Sequence, residues 1–152
     1  MEIKYYDKLT DDFKLLDKMI NDEDYERFGE EVLIYVPLNT LEEINDFFIA
    51  YENDEPIACG CLKPFKYAPN TVELKRVFVT KPNRRKGIAC TIVEHCENKA
   101  REIGYETIVL VTGFDTIEPL SLYKKLGYEI TDNYGAYVDD SSCLCMIKPL
   151  NI

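Results

Sequence analysis

Thr71 to Ala89 reads TVELKRVFVTKPNRRKGIA, a strand-like run that passes through a turn into the start of a helix. Val72, Leu74, Val77, Phe78 and Val79 are aliphatic or aromatic, and Pro82 with Asn83 closes the run as turn residues. Beyond the turn, Ile88, Ala89, Ile92, Val93, Cys96, Ala100 and Ile103 recur at spacings of three and four. That is one apolar face of a helix beginning near Gly87 and stopping at Gly104. A helix N-terminus carries unpaired N–H groups and a partial positive charge, so the backbone from Arg84 through Arg85, Lys86, Gly87 and Ile88 to Ala89 can surround a phosphate. Gly87 lets the backbone come close to such an anion.

Charge supports the same reading. Lys75, Arg76, Lys81, Arg84, Arg85 and Lys86 are six of the eighteen Lys and Arg residues, gathered in a chain whose net charge is −10. Two familiar phosphate loops do not fit. A P-loop needs Gly-Lys-Ser/Thr, whereas Lys86 precedes its glycine, and a dinucleotide fingerprint needs three glycines where Gly87 stands alone.

The rest of the chain is that of an ordinary globule. Its 152 residues suit one domain, spanning 1–152, able to bury roughly two thirds of its surface. Apolar residues make up 46% and charged residues 30%, and no apolar run approaches the ~20 residues of a membrane helix. The start, MEIKYYDKLTDD, lacks the apolar core and cleavage site of a secretory signal, so a cytoplasmic location is expected. In that reducing setting the six cysteines are expected to be small hydrophobes. Cys59 with Cys61, and Cys143 with Cys145, have strand spacing and not the C-x-x-C of zinc sites, and the one histidine, His95, falls on the polar side of its helix. No metal is expected. The negative charge also argues against nucleic acid as a partner.

In chain order, Glu2 to Tyr6 reads as a strand and Thr10 to Ile20 as a capped helix, followed by a densely acidic segment from Asp22 to Glu31. Such a run is a solvated face or the rim of a site for a cation. Val32 to Leu41 gives no clear pattern, with a short helix expected around Leu41 to Asn45. Phe47 to Tyr51 and Ile57 to Leu62 form a hairpin across Asn53-Asp54-Glu55-Pro56, and Lys63 to Asn70 links it to the strand Thr71 to Thr80. Thr107 to Val111 is a continuous apolar run of the kind buried in a parallel pairing, with Thr112-Gly113 ending it. Asp115 or Thr116 caps a short helix, with Leu122 and Leu126 on its buried face and Gly127 at its end. Tyr128 to Thr131 and Cys143 to Lys148 complete the strands.

Within this frame Arg84, Gly87 and Ala89 fill the pattern Arg/Gln-x-x-Gly-x-Gly/Ala directly after a strand, and EPLSLYKKLGYEI, Glu118 to Ile130, follows a second strand. Here the chain resembles the GNAT superfamily of acyl-CoA-dependent N-acetyltransferases, closely over Thr71 to Ile130 and by element order over most of its length. The resemblance implies an α/β domain with a mixed, mostly antiparallel twisted sheet of about six to seven strands flanked by about four helices. It implies acetyl-CoA as co-substrate, with Arg84 to Ala89 at its pyrophosphate, and a small-molecule or peptide amine as acceptor. A non-catalytic acyl-CoA-binding or regulatory module of the same fold is the alternative. The oligomeric state stays open, a homodimer included.

Acetyl transfer from a thioester to an amine needs a deprotonated amine, stabilisation of an oxyanion, and a proton for the departing thiolate. In the family the oxyanion donors come from the central strand, which points to Phe78 or Val79. Tyr123 holds the tyrosine position of Leu122-Tyr123-Lys124-Lys125-Leu126-Gly127-Tyr128 and is the candidate acid; on its residues alone it reads as a packing residue beside Leu122. Glu73 stands where some histone-type members carry a glutamate base, with water as the alternative. A bulge near Val77 would change which side chains share a face with Glu73.

Overall fold

A computed structural model describes residues 1–113 and 117–151. Among these residues one seven-stranded sheet runs in the order β1-β2-β3-β4-β5-β7-β6, and only β4 and β5 of the described strands pair in parallel. The strands are β1 (Glu2–Tyr6), β2 (Asp46–Glu52), β3 (Glu55–Pro64), β4 (Thr71–Val79), β5 (Thr107–Gly113), β6 (Glu129–Thr131) and β7 (Cys143–Pro149). The α-helices are α1 (Asp11–Phe28), α2 (Ile88–Ile103) and α3 (Ile117–Lys125), with 3-10 segments at Gly29–Asn39, Lys81–Asn83 and Gly135–Tyr137. The mixed, mostly antiparallel α/β sheet is the one expected.

Alternation along the strands sorts two cores onto opposite faces. Phe47, Ile49 and Tyr51 join Cys59 and Cys61 against Phe13 and Leu16 of α1. Phe48, Ala50, Ala58, Leu62, Val72 and Leu74 face Ile92, Val93, Cys96 and Ala100 of α2 and Tyr123 of α3. Gly60 makes the second layer possible, because a Cβ there would stand 2.7 Å from Ile92 Cγ2. Thr10 caps α1, its Oγ1 accepting the Phe13 N–H. Gly104, at φ 113°, ends α2 in the left-handed conformation.

A bulge divides β4. Cys59 faces Phe78 and Cys61 faces Lys75, so Arg76 and Val77 together stand opposite Gly60, and Arg76 takes φ 57°. With no bulge, Arg76 would share the apolar face of Val72 and Leu74. With it, Arg76 turns to α1, where Nε bonds Asp17 Oδ1 at 2.8 Å and Nη2 bonds Asn21 Oδ1 at 2.7 Å. The parity of the strand flips there: Val77 and Val79 belong to the α2 side, and Phe78 packs on the α1 side.

Several local expectations are corrected. The acidic segment does not follow the first helix but continues it, α1 running to Phe28. Val32 to Asn39 is a 3-10 segment, and the short helix expected at Leu41 to Asn45 is absent, a turn there burying Ile44. The hairpin turn is tighter than read: Glu55 and Pro56 belong to β3, and Asn53 and Asp54 alone form the turn, both at positive φ. Gly113 does not end β5 early, since it pairs with Cys143. Ile103 is 47% exposed, while Glu97 on the same helix is buried. On α3 it is Tyr123 that is buried, with Leu122 and Leu126 only partly covered. The cap assigned to Asp115 or Thr116 lies outside the described residues.

Glu97 is buried because partners wait for it: Tyr128 donates its hydroxyl to Oε2 at 2.7 Å, and Lys148 Nζ lies 3.0 Å from both carboxylate oxygens. Four cysteines, Cys59, Cys61, Cys96 and Cys145, are fully buried free thiols. Among the described residues no helix is long and apolar enough to cross a membrane, and no cluster of His, Cys, Asp and Glu could hold a metal ion.

Candidate active site

The parallel strands β4 and β5 pair only at Thr71 with Thr107, Val72 with Ile108 and Glu73 with Val109. Beyond these residues both strands continue but no longer pair with each other, and the bulge at Arg76 adds to the twist that separates them. The gap is part of a cleft of about 1470 Å³, lined by the second half of β4, the end of β5, the start of α2, α3, the end of α1 and the 3-10 segment after it. A usual small-molecule pocket holds ~300–1,000 Å³, so two reactants fit together.

Antiparallel pairing decides which β4 amides face this gap. Thr80 donates its N–H to Ile57 on β3 at 2.9 Å. Alternation turns Phe78 N–H the same way and Val79 N–H and C=O the other, toward the cleft. The Val79 carbonyl indeed accepts Arg84 Nε at 2.8 Å. Of the two residues named for the oxyanion, Val79 therefore presents its amide to the open side, and Phe78 contributes its ring to the wall.

At one end of the cleft the chain turns into α2. Arg85 takes φ 66° and Gly87 φ 78°, so left-handed residues alternate through Lys86 and aim successive N–H groups into one concavity. Gly87 is the N-cap and no side chain caps it. Arg85, Gly87, Ile88 and Ala89 line the cleft, whereas the exposed Lys86 is not part of its wall. Arg84 lines it too, but its guanidinium is engaged: Nη2 bonds Glu23 Oε2 at 2.7 Å, and the group lies 5.4 Å from the Phe78 ring. This Arg84 hydrogen bond holds the Glu23 carboxyl below its ordinary pKa.

Tyr123 enters the cleft from α3. It is 8% exposed and stacks edge-on against Tyr128 at 5.6 Å. Burial raises its phenol far above the ordinary value. Among the described residues no buried side-chain oxygen or nitrogen lacks a partner and none bonds the Tyr123 hydroxyl, so that hydroxyl borders the cleft's open space.

Glu73 sits elsewhere. It is buried, its Oε2 accepts the Tyr134 hydroxyl at 2.7 Å and stands 3.9 Å from Lys75 Nζ, and it is absent from the cleft wall. The structure thus brings Phe78, Val79, Arg84, Arg85, Gly87, Ile88, Ala89 and Tyr123 to one cleft and leaves Glu73 and Lys86 off it. Lys75, which the sequence reading passed over as one of a basic cluster, is a wall residue: buried, donating to the Leu38 carbonyl at 3.1 Å, with its pKa lowered by burial. Also unforeseen was the join between Tyr35 and the turn at Asp140, where the Tyr35 hydroxyl bonds Asp140 Oδ2 and lies 2.9 Å from Ser142 Oγ. No local pattern marks a contact between residues 105 positions apart.

Comparison with known proteins agrees with this fold. The family model described as acetyltransferase (GNAT) family matches residues 6–128. The Bacillus subtilis (strain 168) protein named "Uncharacterized N-acetyltransferase YsnE" is 31% identical over 68% of this chain and 69% of its own length. Other curated relatives are matched over 40% to 67% of theirs. An acetyltransferase of GNAT family from Staphylococcus aureus Mu50 superposes with a TM-score of 0.75 at 17% identity, covering 99% of this chain and 100% of the other. The PaiA N-acetyltransferase of Thermoplasma acidophilum, solved with coenzyme A, gives 0.67 at 20% identity, over 98% and 99%. At those identities the likeness is one of fold.

Proposed function

The chain belongs to the acetyltransferase (GNAT) family, and on that premise we propose that it is one acetyltransferase domain that moves an acetyl group from acetyl-CoA to a primary amine. The observation that carries the proposal is the end of β4–β5 pairing at Glu73 and Val109, which opens a cleft between an uncapped helix start and the Tyr123 hydroxyl.

The concave amides from Arg85 to Ala89 suit a pyrophosphate, and Arg85, 88% exposed at its side chain, can swing to it. The cofactor, when bound, supplies the thioester. Val79 N–H, turned to the gap, offers a donor where charge develops on the carbonyl oxygen. Tyr123, kept protonated by burial, is the group we assign to return a proton to the thiolate. For the amine's own proton, the enclosed position of Glu73 under Tyr134 favours removal through water over direct contact. Asp22, Glu23, Asp24 and Glu31 all line the cleft, which supports a cationic acceptor.

Thiol release from acetyl-CoA across a panel of amines tests the reading. Release with a subset of amines, and a KM for those amines that rises with salt, is the expected result. Tight CoA binding with no release on any amine would instead make the chain an acyl-CoA-binding module.

A further inference from the structure

Resting on the acetyl-transfer reading, we infer that the acceptor is an amphipathic amine, one that carries an alkyl or aryl body beside its ammonium group. Val32 to Leu38, VLIYVPL, is a run of seven residues with no charge, the kind of sequence that ordinarily enters a core. None of the 3-10 segment that holds it is buried. Leu33, Ile34 and Val36 are 51%, 67% and 45% exposed, and Tyr25 and Phe28 at the end of α1 are 48% and 42% exposed. All five line the cleft. Five large apolar side chains left exposed in the wall of one cleft make a surface that awaits an apolar body.

Acidic groups share this wall: Asp22, Asp24 and Glu31 line the cleft with it, and a further pair is held at the turn beyond Tyr137. The Tyr35 hydroxyl, bonded to Asp140 and Ser142, joins the apolar segment to the turn that holds Asp139 and Asp140, both of which line the cleft. Hydrogen bonds from Ser142 and Tyr35 keep the Asp140 carboxyl ionised, with its pKa lowered to about 2. An ammonium reaching this end of the cleft therefore meets negative charge, while the rest of the molecule lies on hydrocarbon.

The test is an acceptor series at saturating acetyl-CoA: n-butylamine, n-hexylamine, n-octylamine and 2-phenylethylamine against spermidine. The expected result is that kcat/KM rises roughly threefold to fourfold per added methylene until the wall is covered, as burial of each CH₂ implies. The exposed position of Ile34 makes Ile34→Ser safe for folding, and it should flatten the chain-length dependence. Turnover that is best on spermidine and independent of alkyl length overturns this inference and leaves acetyl transfer standing. The same flat profile in a protein that sediments as a dimer, with Ile34→Asp returning it to monomer, overturns it by making the patch an interface between copies. No turnover on any amine, with CoA still bound, overturns acetyl transfer and this inference with it.

Discussion

Glu23 of α1 and Arg84, beyond the end of β4, lie 2.7 Å apart, carboxylate to guanidinium, across 61 residues of sequence. The same guanidinium donates Nε to the Val79 carbonyl at 2.8 Å. One side chain therefore ties the first helix to the strand that offers its amide to the cleft and to the turn that opens α2. The arginine of the Arg-x-x-Gly-x-Ala pattern acts here as a brace, and under the proposed function the anion-binding groups are the amides that follow it.

That brace is pH-dependent in a defined direction. Arg84's hydrogen bond depresses the Glu23 pKa, so the contribution is fully present above the ordinary glutamate pKa of ~4.3 and is lost as pH falls through the lower folded value. The difference in melting temperature between wild type and Glu23→Gln should be constant from about pH 7 to pH 5 and vanish in more acid solution. Partial exposure limits it to about 1 kcal/mol. A difference that persists unchanged at pH 3 would show that the ion pair is not its source.

Gly87 should separate backbone strain from anion binding. A Cβ there meets nothing within 4 Å, but φ is 78°, so Gly87→Ala should cost about 1–2 kcal/mol in stability and leave CoA affinity within a few fold. Gly87→Asp adds a negative charge at the same place, and calorimetry should show CoA binding largely lost. Equal affinities in the two variants would remove the phosphate from this turn.

Tyr123→Phe keeps the ring against Tyr128 and removes only the hydroxyl. Acetyl-CoA binding should be unchanged, while kcat falls about 100-fold wherever chemistry limits the rate. The loss should shrink with a donor whose leaving thiol is more acidic. Because burial raises the phenol's pKa, wild-type kcat should show no alkaline decline from this group below about pH 10. Full kcat with a lower melting temperature would make Tyr123 a packing residue.

Lys148→Met should be destabilising out of proportion to its modest exposure. It leaves the buried Glu97 carboxylate with Tyr128 as its remaining hydrogen-bond partner, and breaking a buried pair on one side costs ~3–5 kcal/mol. Thermal melting should fall by roughly 6–20 °C. In the double variant Glu97→Gln with Lys148→Met, much of that stability should return, since no uncompensated charge is left behind.

The sequence by itself determined the elements and their order. Thr71 to Val79 had strand composition, Gly87 and Gly104 bounded a helix with one apolar face, and apolar Thr107 to Val111 called for a parallel neighbour. These are local properties, set by side-chain period and backbone freedom within a few residues, so a chain read in order displays them. The glycine turn into α2 was legible for the same reason: a glycine at a helix start and its flanking basic residues are contiguous.

Tertiary structure alone decided what faces what. Glu97 lies among polar residues in the helix pattern, and only Tyr128 and Lys148, 31 and 51 positions away, make its burial tolerable. Glu73 has the spacing of a base, yet Tyr134, 61 positions on, covers it. The left-handed Arg76 flips the parity of β4, so that an unbroken alternation in the sequence misplaces every residue after it. The apolar run Val32 to Leu38, which shows no clear local pattern, lies at the surface, and the hydroxyl of Tyr35 fastens it to a turn more than a hundred residues later. Each outcome depends on a partner that is distant in sequence, and no periodicity encodes the distance between two side chains that meet only when the sheet has closed.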